Sequence, residues 1–97
     1  MFSLVKTPEF IKWLNEQSLK TQIIVEARLN RLADYRHWGF VNRFDELIEL
    51  KWPSGLRVYT AIVGEIKVIL LLGGNKNGQD KDIKKAKTIL KKYISSL

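Results

Sequence analysis

The residues of this chain best suited to chemistry are basic, and three of them lie on or beside neighbouring predicted strands. Arg57 lies in the alternating segment LRVYTAIV, Lys51 lies in the segment before it, and Lys76 lies in the loop GGNKNG. Alternation places Arg57 and Lys51 opposite the apolar stripes of their strands, on a face that we expect to be exposed to solvent, and Glu49 lies on the same face as Lys51. If these strands form a meander, the three cations converge on one side of the sheet.

Converging cations suit chemistry at phosphorus, because they neutralise the charge that builds on phosphoryl oxygens. An arginine offers a phosphate two parallel donors, whereas a lysine acts as a point charge or, with a lowered pKa, as a base. The chain has 17 Lys and Arg against 10 Asp and Glu, giving a formal net charge of +7. Charge alone is equally typical of a lysine-rich soluble surface. Together with Arg57, Lys51 and Lys76 it favours a phosphate-bearing partner.

Other kinds of site find little support in the sequence. Gly73 and Gly78 have the spacing of a phosphate-binding loop, but Gln79 and Asp80 replace the residues that touch phosphate and magnesium there. His37 is the only histidine, there is no cysteine, and no paired-histidine motif is present. We predict that His37 is a packing or surface residue, and that the protein uses no metal and no cofactor.

Length and composition indicate one small cytoplasmic domain. Ninety-seven residues fit a single domain, 1–97. The absence of cysteine fits a reducing compartment. The start MFSLVKTPEF lacks the pattern of a signal peptide, and no apolar run approaches the roughly 20 residues that span a bilayer. We therefore predict a cytoplasmic protein without a membrane partner.

The periodicity predicts the elements that position the basic residues. FSLV reads as an edge strand, and two helices follow, one opened by Thr7 and Pro8 and one from about 19 to 35. Period-two segments then begin at Phe44, and the last of them, IKVILLL, is apolar on both faces and therefore central. A final helix runs from about 79 to 94. We predict an α+β fold, β-α-α-β-β-β-α, with an antiparallel sheet, two N-terminal helices and one C-terminal helix.

The segment around the double glycine has its own prediction. Gly73 and Gly74 should let the chain turn away from the central strand, since glycine adopts conformations closed to other residues. Gln79 and Asp80 should belong to the start of the last helix, where carboxylates suit the helix dipole.

Several motifs together resemble a known family. They are Arg57-Val58-Tyr59 on a strand, Gly73-Gly74-Asn75-Lys76 in a loop, and Gln79-Asp80-Lys81-Asp82-Ile83 at a helix start, followed by Ala86. The segment ARLNRL at 27–32 also fits. This pattern resembles the phage-derived addiction-module killer proteins, a HigB-like branch of the RelE/ParE toxin superfamily. The likeness covers nearly the whole chain.

The resemblance implies a toxin that a cognate antitoxin neutralises, with the antitoxin being a helix-turn-helix protein from the adjacent gene. RelE-like members cut mRNA on the ribosome through attack of the RNA 2′-hydroxyl on the adjacent phosphate, without a metal. Arg57 and Lys76 match catalytic positions of the superfamily, and Lys51 is a looser match. We further predict RNA contacts for Arg28, Arg31, Tyr59 and Lys81.

Departures from the family pattern leave alternatives open. Asn75 stands where an aspartate commonly precedes the loop lysine, and neither His37 nor Tyr93 matches a catalytic position, so the general base stays unassigned. The superfamily also contains ParE, which poisons DNA gyrase and cuts nothing. A nonenzymatic nucleic-acid-binding subunit that acts with its antitoxin is a third reading.

Overall fold

A five-stranded sheet with helices on both faces forms the protein. The computed structural model describes all 97 residues, Met1–Leu97. The elements are β1 (Ser3–Lys6), α1 (Pro8–Asn15), α2 (Leu19–Tyr35), β2 (Val41–Phe44), β3 (Leu47–Lys51), β4 (Leu56–Val63), β5 (Lys67–Asn75), a 3-10 turn (Lys76–Gly78) and α3 (Gln79–Ser95). None of these helices is both long and apolar enough to cross a bilayer.

The sheet has the order β1-β5-β4-β3-β2. Strands β2 to β5 pair antiparallel, whereas β1 pairs parallel with β5. The predicted α+β order is confirmed, with one further strand, β2, at the sheet edge. It lies before the period-two segment that begins near Phe44, and a turn at Asp45, which has a φ of 56°, separates it from β3. The central position predicted for the strand IKVILLL is also confirmed.

Side-chain caps start both N-terminal helices. The hydroxyl of Thr7 accepts a hydrogen bond from Phe10 N at 3.2 Å, and Pro8 occupies the first turn of α1, as predicted. The same hydroxyl donates to Leu70 O at 2.8 Å, which ties the start of α1 to β5. Ser18 caps α2 by accepting from Thr21 N.

Two apolar cores lie on the two faces of the sheet. Leu14, Val25 and Leu29 of α1 and α2 pack on one face, in a core that includes Val58. Ala86, Ile89 and Leu90 of α3 pack on the other face, in a core that includes Tyr59, Ala61 and Leu71. We predicted that the polar side of β3 and β4 faces solvent, and this was wrong for Glu49 and Tyr59, because α3 covers that part of the face. Glu49 and Tyr59 are consequently fully buried.

The double glycine lies inside β5 and not at a turn, so the predicted role of Gly73 and Gly74 was wrong. A Cβ on Gly73 would lie 2.3 Å from the indole of Trp13, and one on Gly74 would lie 2.1 Å from Asp82 Oδ2. Helix α1 approaches the strand on one face and α3 approaches it on the other. Glycine is therefore needed at these two positions because neighbouring side chains occupy the space of a Cβ.

Candidate functional site

The three basic residues singled out by the sequence surround one open pocket. Lys51 and Arg57 are direct cross-strand partners on β3 and β4, and Lys76 follows β5. Together they line a cavity of about 330 Å³, which we call the cationic pocket. Its other lining residues are Phe40, Trp52, Pro53 and Gly55. The predicted convergence of the cations on one side of the sheet is thus observed.

Arg57 lies at the base of this pocket and is buried, not projecting into solvent as predicted. Its Nη1 donates to Trp52 O at 3.2 Å and to Leu56 O at 3.0 Å. Its Nε lies 3.7 Å from Glu49 Oε1 and makes no hydrogen bond. Nη2 donates to no protein acceptor. The guanidinium is therefore fixed on one side and available to a ligand through Nη2.

A buried carboxylate holds this arrangement together. Glu49 accepts from Asn42 Nδ2 at 3.0 Å and from Gln79 Nε2 at 2.8 Å, and it faces Arg57. We call Asn42, Glu49, Arg57 and Gln79 the Glu49 network. Gln79 begins α3, as predicted, so the network joins α3 to the strands that carry the pocket.

Lys76 is exposed, yet the chain around it is ordered by the β3–β4 turn. Its backbone N–H donates to Gly55 O at 2.8 Å. The aliphatic part of its side chain lies over Gly55, since a Cβ added to that glycine would lie 3.5 Å from Lys76 Cγ. Gly55 has a φ of +101°, a conformation that favours glycine. Asn75 accepts from Asn77 N and caps the 3-10 turn that carries Lys76.

Arg28 was predicted to contact RNA, but the structure gives it a role inside the protein. Its guanidinium donates to the carbonyl oxygens of Trp38, Phe40 and Lys51. It also lies 4.4 Å from the ring centroid of Trp52. Burial lowers the pKa of Arg28 from its usual value. With its donors used, Arg28 supports the wall of the cationic pocket and does not offer a free cation.

Tyr59 does not fit the predicted RNA contact either. It is fully buried, because α3 covers its face of β4, and it is the cross-strand partner of Glu49. Burial, together with the charge of Glu49, raises the pKa of Tyr59. A phenol in this position is a neutral core residue.

The remaining predicted RNA contacts, Arg31 and Lys81, are exposed. Arg31 lines a second cavity of about 220 Å³ together with His37, and this cavity shares Phe40, Lys51, Trp52 and Pro53 with the cationic pocket. His37 is exposed beside it, in agreement with the surface position predicted for it. Lys81 lies in the first turn of α3 and does not line the cationic pocket.

The lining of the pocket suits an anion. Neither a carboxylate nor an imidazole lines it, and no group of three or more His, Cys, Asp or Glu comes together to hold a metal ion. Phe40, Trp52 and Glu49 were missed as site residues. The turn WPSG directly after Lys51 could have indicated Trp52, whereas Glu49 looked like a solvent-facing member of an alternating strand.

Comparisons with known proteins place the fold. No protein-family model matches the chain. It is 37% identical over 87 residues to an uncharacterized protein of Haemophilus influenzae, covering 86% of this chain and 87% of the relative. It is similar in structure to a chain of the intact Escherichia coli RelBE toxin–antitoxin complex, with a TM-score of 0.63 and 11% identity over 77% of this chain and 96% of that one.

The isolated Escherichia coli RelE toxin gives the same result, with a TM-score of 0.64 and 12% identity over 88% of this chain and 98% of that one. At such identities the likeness concerns the fold alone. The chain therefore belongs to the family of the Haemophilus influenzae protein, and its fold is that of the RelE toxin.

Proposed function

We propose that this protein is the toxin of a type II toxin–antitoxin system and that it cleaves mRNA on the ribosome. The observation that carries the proposal is the cationic pocket, in which Lys51, Arg57 and Lys76 surround a space without a carboxylate. The net charge of +7 supports a polyanionic substrate. The structural neighbours, described as a toxin and as a toxin–antitoxin complex, support the class.

In the proposed reaction the 2′-hydroxyl oxygen attacks the adjacent phosphorus and the bond to the 5′-oxygen breaks. The products are a 2′,3′-cyclic phosphate and a 5′-hydroxyl, and the proton of the 2′-hydroxyl ends on the 5′-oxygen. Arg57 Nη2 and the Lys76 ammonium would bind the non-bridging oxygens, where negative charge grows. Lys51 would add positive charge from β3, the strand that pairs with the strand of Arg57. This reaction needs no metal.

The antitoxin is part of the same proposal. The motifs shared with HigB-like, phage-derived killer proteins favour an antitoxin of the helix-turn-helix class, encoded beside the toxin. An acidic antitoxin segment over the cationic pocket would neutralise the toxin by occupying the phosphate site. Charged contacts at the edge of this interface should make association fast, and added salt should slow it.

The decisive experiment uses purified protein and ribosomes stalled on a defined mRNA. Wild-type protein should cut the mRNA and leave a 2′,3′-cyclic phosphate on one fragment and a 5′-hydroxyl on the other. Lys76→Met, which removes a lysine that lines the cationic pocket, should cut more slowly, and Lys84→Met, which removes an exposed lysine of α3 outside the pocket, should cut like the wild type. Intact mRNA in the wild-type reaction, together with arrested growth of cells that express the same protein, would overturn the proposal.

The second candidate is a ParE-like gyrase poison that binds a protein and cuts nothing. The observation in its favour is an apolar surface on α2, where Leu19, Ile23 and Ile24 are 72%, 60% and 40% exposed. Such a patch suits a protein partner. A gyrase cleavage assay distinguishes the two, since only the second candidate predicts accumulation of gyrase-linked DNA breaks.

A further inference from the structure

A larger depression also adjoins the cationic pocket. It has a volume of about 700 Å³ and lies between the α1–α2 connection, the β3–β4 turn and the end of β5. We call it the tryptophan groove and define it by Trp13, Lys20, Ile24, Trp52, Leu56 and Asn75. Its lining combines two indoles, two aliphatic side chains, an amide and a lysine.

Both indoles are held in place by the fold. Trp13 lies over Gly73, on the side of β5 that faces α1, with its centroid 5.8 Å from the ring of Phe10. Trp52 is held by the guanidinium of Arg28, 4.4 Å from its centroid. Each indole is only partly buried. Rings that are fixed and partly open suit stacking by a flat ligand, because little freedom is lost on binding.

The groove and the cationic pocket form one continuous surface. Trp52 and Pro53 line both of them, and Asn75 in the groove directly precedes Lys76 in the pocket. Neither lining contains an aspartate or a glutamate, and the groove adds the positive charge of Lys20. A chain with a phosphate at Arg57 and Lys76 can therefore continue past Trp52 into the groove without meeting a carboxylate.

We infer that the tryptophan groove binds a nucleobase of single-stranded RNA next to the phosphate held in the cationic pocket. This inference rests on the proposed function and adds to it a site that selects the position of the RNA. Stacking on aromatic side chains accepts any base, because every base has a π-face. The groove would thus fix the scissile phosphate over Arg57 with little dependence on sequence.

The test measures affinity, not cleavage. Ribosomes are programmed with an mRNA that carries 2′-O-methyl groups at the attack site, and single abasic nucleotides are placed at successive positions around it. Removing the base that lies in the groove should weaken toxin binding by about 10-fold, within the range for one lost base stack. Abasic nucleotides farther along the mRNA should have little effect.

Two neighbouring residues of α2 supply a matched pair of variants. Ile24 lines the groove and is 40% exposed, whereas Ile23 is 60% exposed and lies outside it. Ile24→Glu places a carboxylate in the groove and should weaken binding about 10-fold, as the loss of one base stack would. Ile23→Glu, with the same charge on the same helix, should change affinity far less. In the Ile24→Glu variant, removing the base that weakens binding of the wild type should no longer weaken binding.

The outcomes separate the two proposals. The nucleobase site is overturned if no abasic position weakens toxin binding, or if Ile23→Glu and Ile24→Glu weaken it equally. Either result holds even if wild-type protein cleaves mRNA normally. A toxin that shows the abasic effect but never cuts unmodified mRNA overturns the proposed function and leaves the nucleobase site standing. If Ile24→Glu instead blocks only antitoxin binding, the groove is a protein-docking surface and the inference fails.

Discussion

Arg57 Nε lies 3.7 Å from Glu49 Oε1 at the base of the cationic pocket, and Glu49 is fully buried. The same guanidinium leaves Nη2 without a protein acceptor, and Arg57 lines a pocket that two lysines also line. Arg57 is therefore both a partner of a buried charge and the strongest candidate for contact with phosphate. These two roles can be separated by substitution.

Arg57→Ala should reduce cleavage of ribosome-bound mRNA by about 10²–10³-fold, because one donor to the developing charge is lost. It should also destabilise the fold, by up to about 3–5 kcal/mol, because Glu49 loses its ionic partner inside the protein. Cleavage rates and urea unfolding measure the two effects.

The double variant Arg57→Ala/Glu49→Gln removes the unpaired charge and should recover part of the stability, without any gain in cleavage. Arg57→Lys should restore little activity, since an ammonium lacks the two-pronged contact. A folded Arg57→Ala protein that cuts at the wild-type rate would remove Arg57 from the site.

Lys76→Met should lower cleavage while leaving stability within about 0.5 kcal/mol of wild type, as is usual for exposed side chains. Methionine keeps an aliphatic stem over Gly55 and removes only the charge. The loss of activity should be smaller than for Arg57→Ala, because the Lys76 ammonium is exposed. Lys84→Met is the control for the general loss of positive charge. Equal cleavage by the two methionine variants would exclude a specific role for Lys76.

Gln79→Leu should destabilise the protein by about 1–3 kcal/mol, since Glu49 Oε2 loses its donor while staying buried. We also expect slower cleavage, because Gln79 acts on Arg57 through Glu49 and positions it. The effect should appear mainly in kcat. Asn77→Leu, at an exposed position two residues earlier, is the matched control. Unchanged stability of Gln79→Leu would mean that the Glu49 network does not join α3 to the sheet.

The sequence predicted the order of the elements because local signals are strong in this chain. Thr7 and Pro8 mark a helix start, and the period-two segments mark the strands. It misjudged the exposure of Arg57, Tyr59 and Glu49, since alternation shows which residues share a face but not that a distant helix covers that face. The motif around Gln79 predicted a helix start. Its contact with Glu49, 30 positions away, depends on tertiary packing.

The stability of this protein should depend on the ionisation of Asp82. Partial burial raises the pKa of this carboxyl above its usual 3.8. The folded state then binds the proton more tightly than the unfolded state, so the stabilising effect is present at low pH and is lost as the pH rises through and above 3.8. Asp82→Asn removes this loss. Relative to wild type, the variant should gain unfolding free energy between about pH 3 and about pH 7.

Urea unfolding at the two pH values measures this gain. Asp80→Asn removes a second carboxylate from the first turn of α3, at an exposed position, and controls for the helix dipole. The pH effect of Asp82→Asn should exceed that of Asp80→Asn. The opposite order would mean that Asp82 is stabilised in its charged form.

Gly73→Ala should destabilise the fold more than Gly74→Ala. The added methyl at Gly73 would lie 2.3 Å from the indole of Trp13, which is packed against Phe10, so α1 must shift. Overpacking of this kind typically costs about 1–3 kcal/mol. At Gly74 the nearest atom is Oδ2 of Asp82, at 2.1 Å. A carboxylate at the end of a flexible side chain can rotate away, so the loss should be smaller.

Urea unfolding of the single variants gives the order, and Gly74→Ala/Asp82→Ala is the matched double variant. In the double variant the clash at position 74 is absent, so the destabilisation by Gly74→Ala should nearly vanish. No comparable relief is available at Gly73, because shortening Trp13 removes an indole that packs on Phe10. If Gly74→Ala proved the more damaging change, or if Asp82→Ala gave no relief, Asp82 could not be the group that requires glycine in this part of β5.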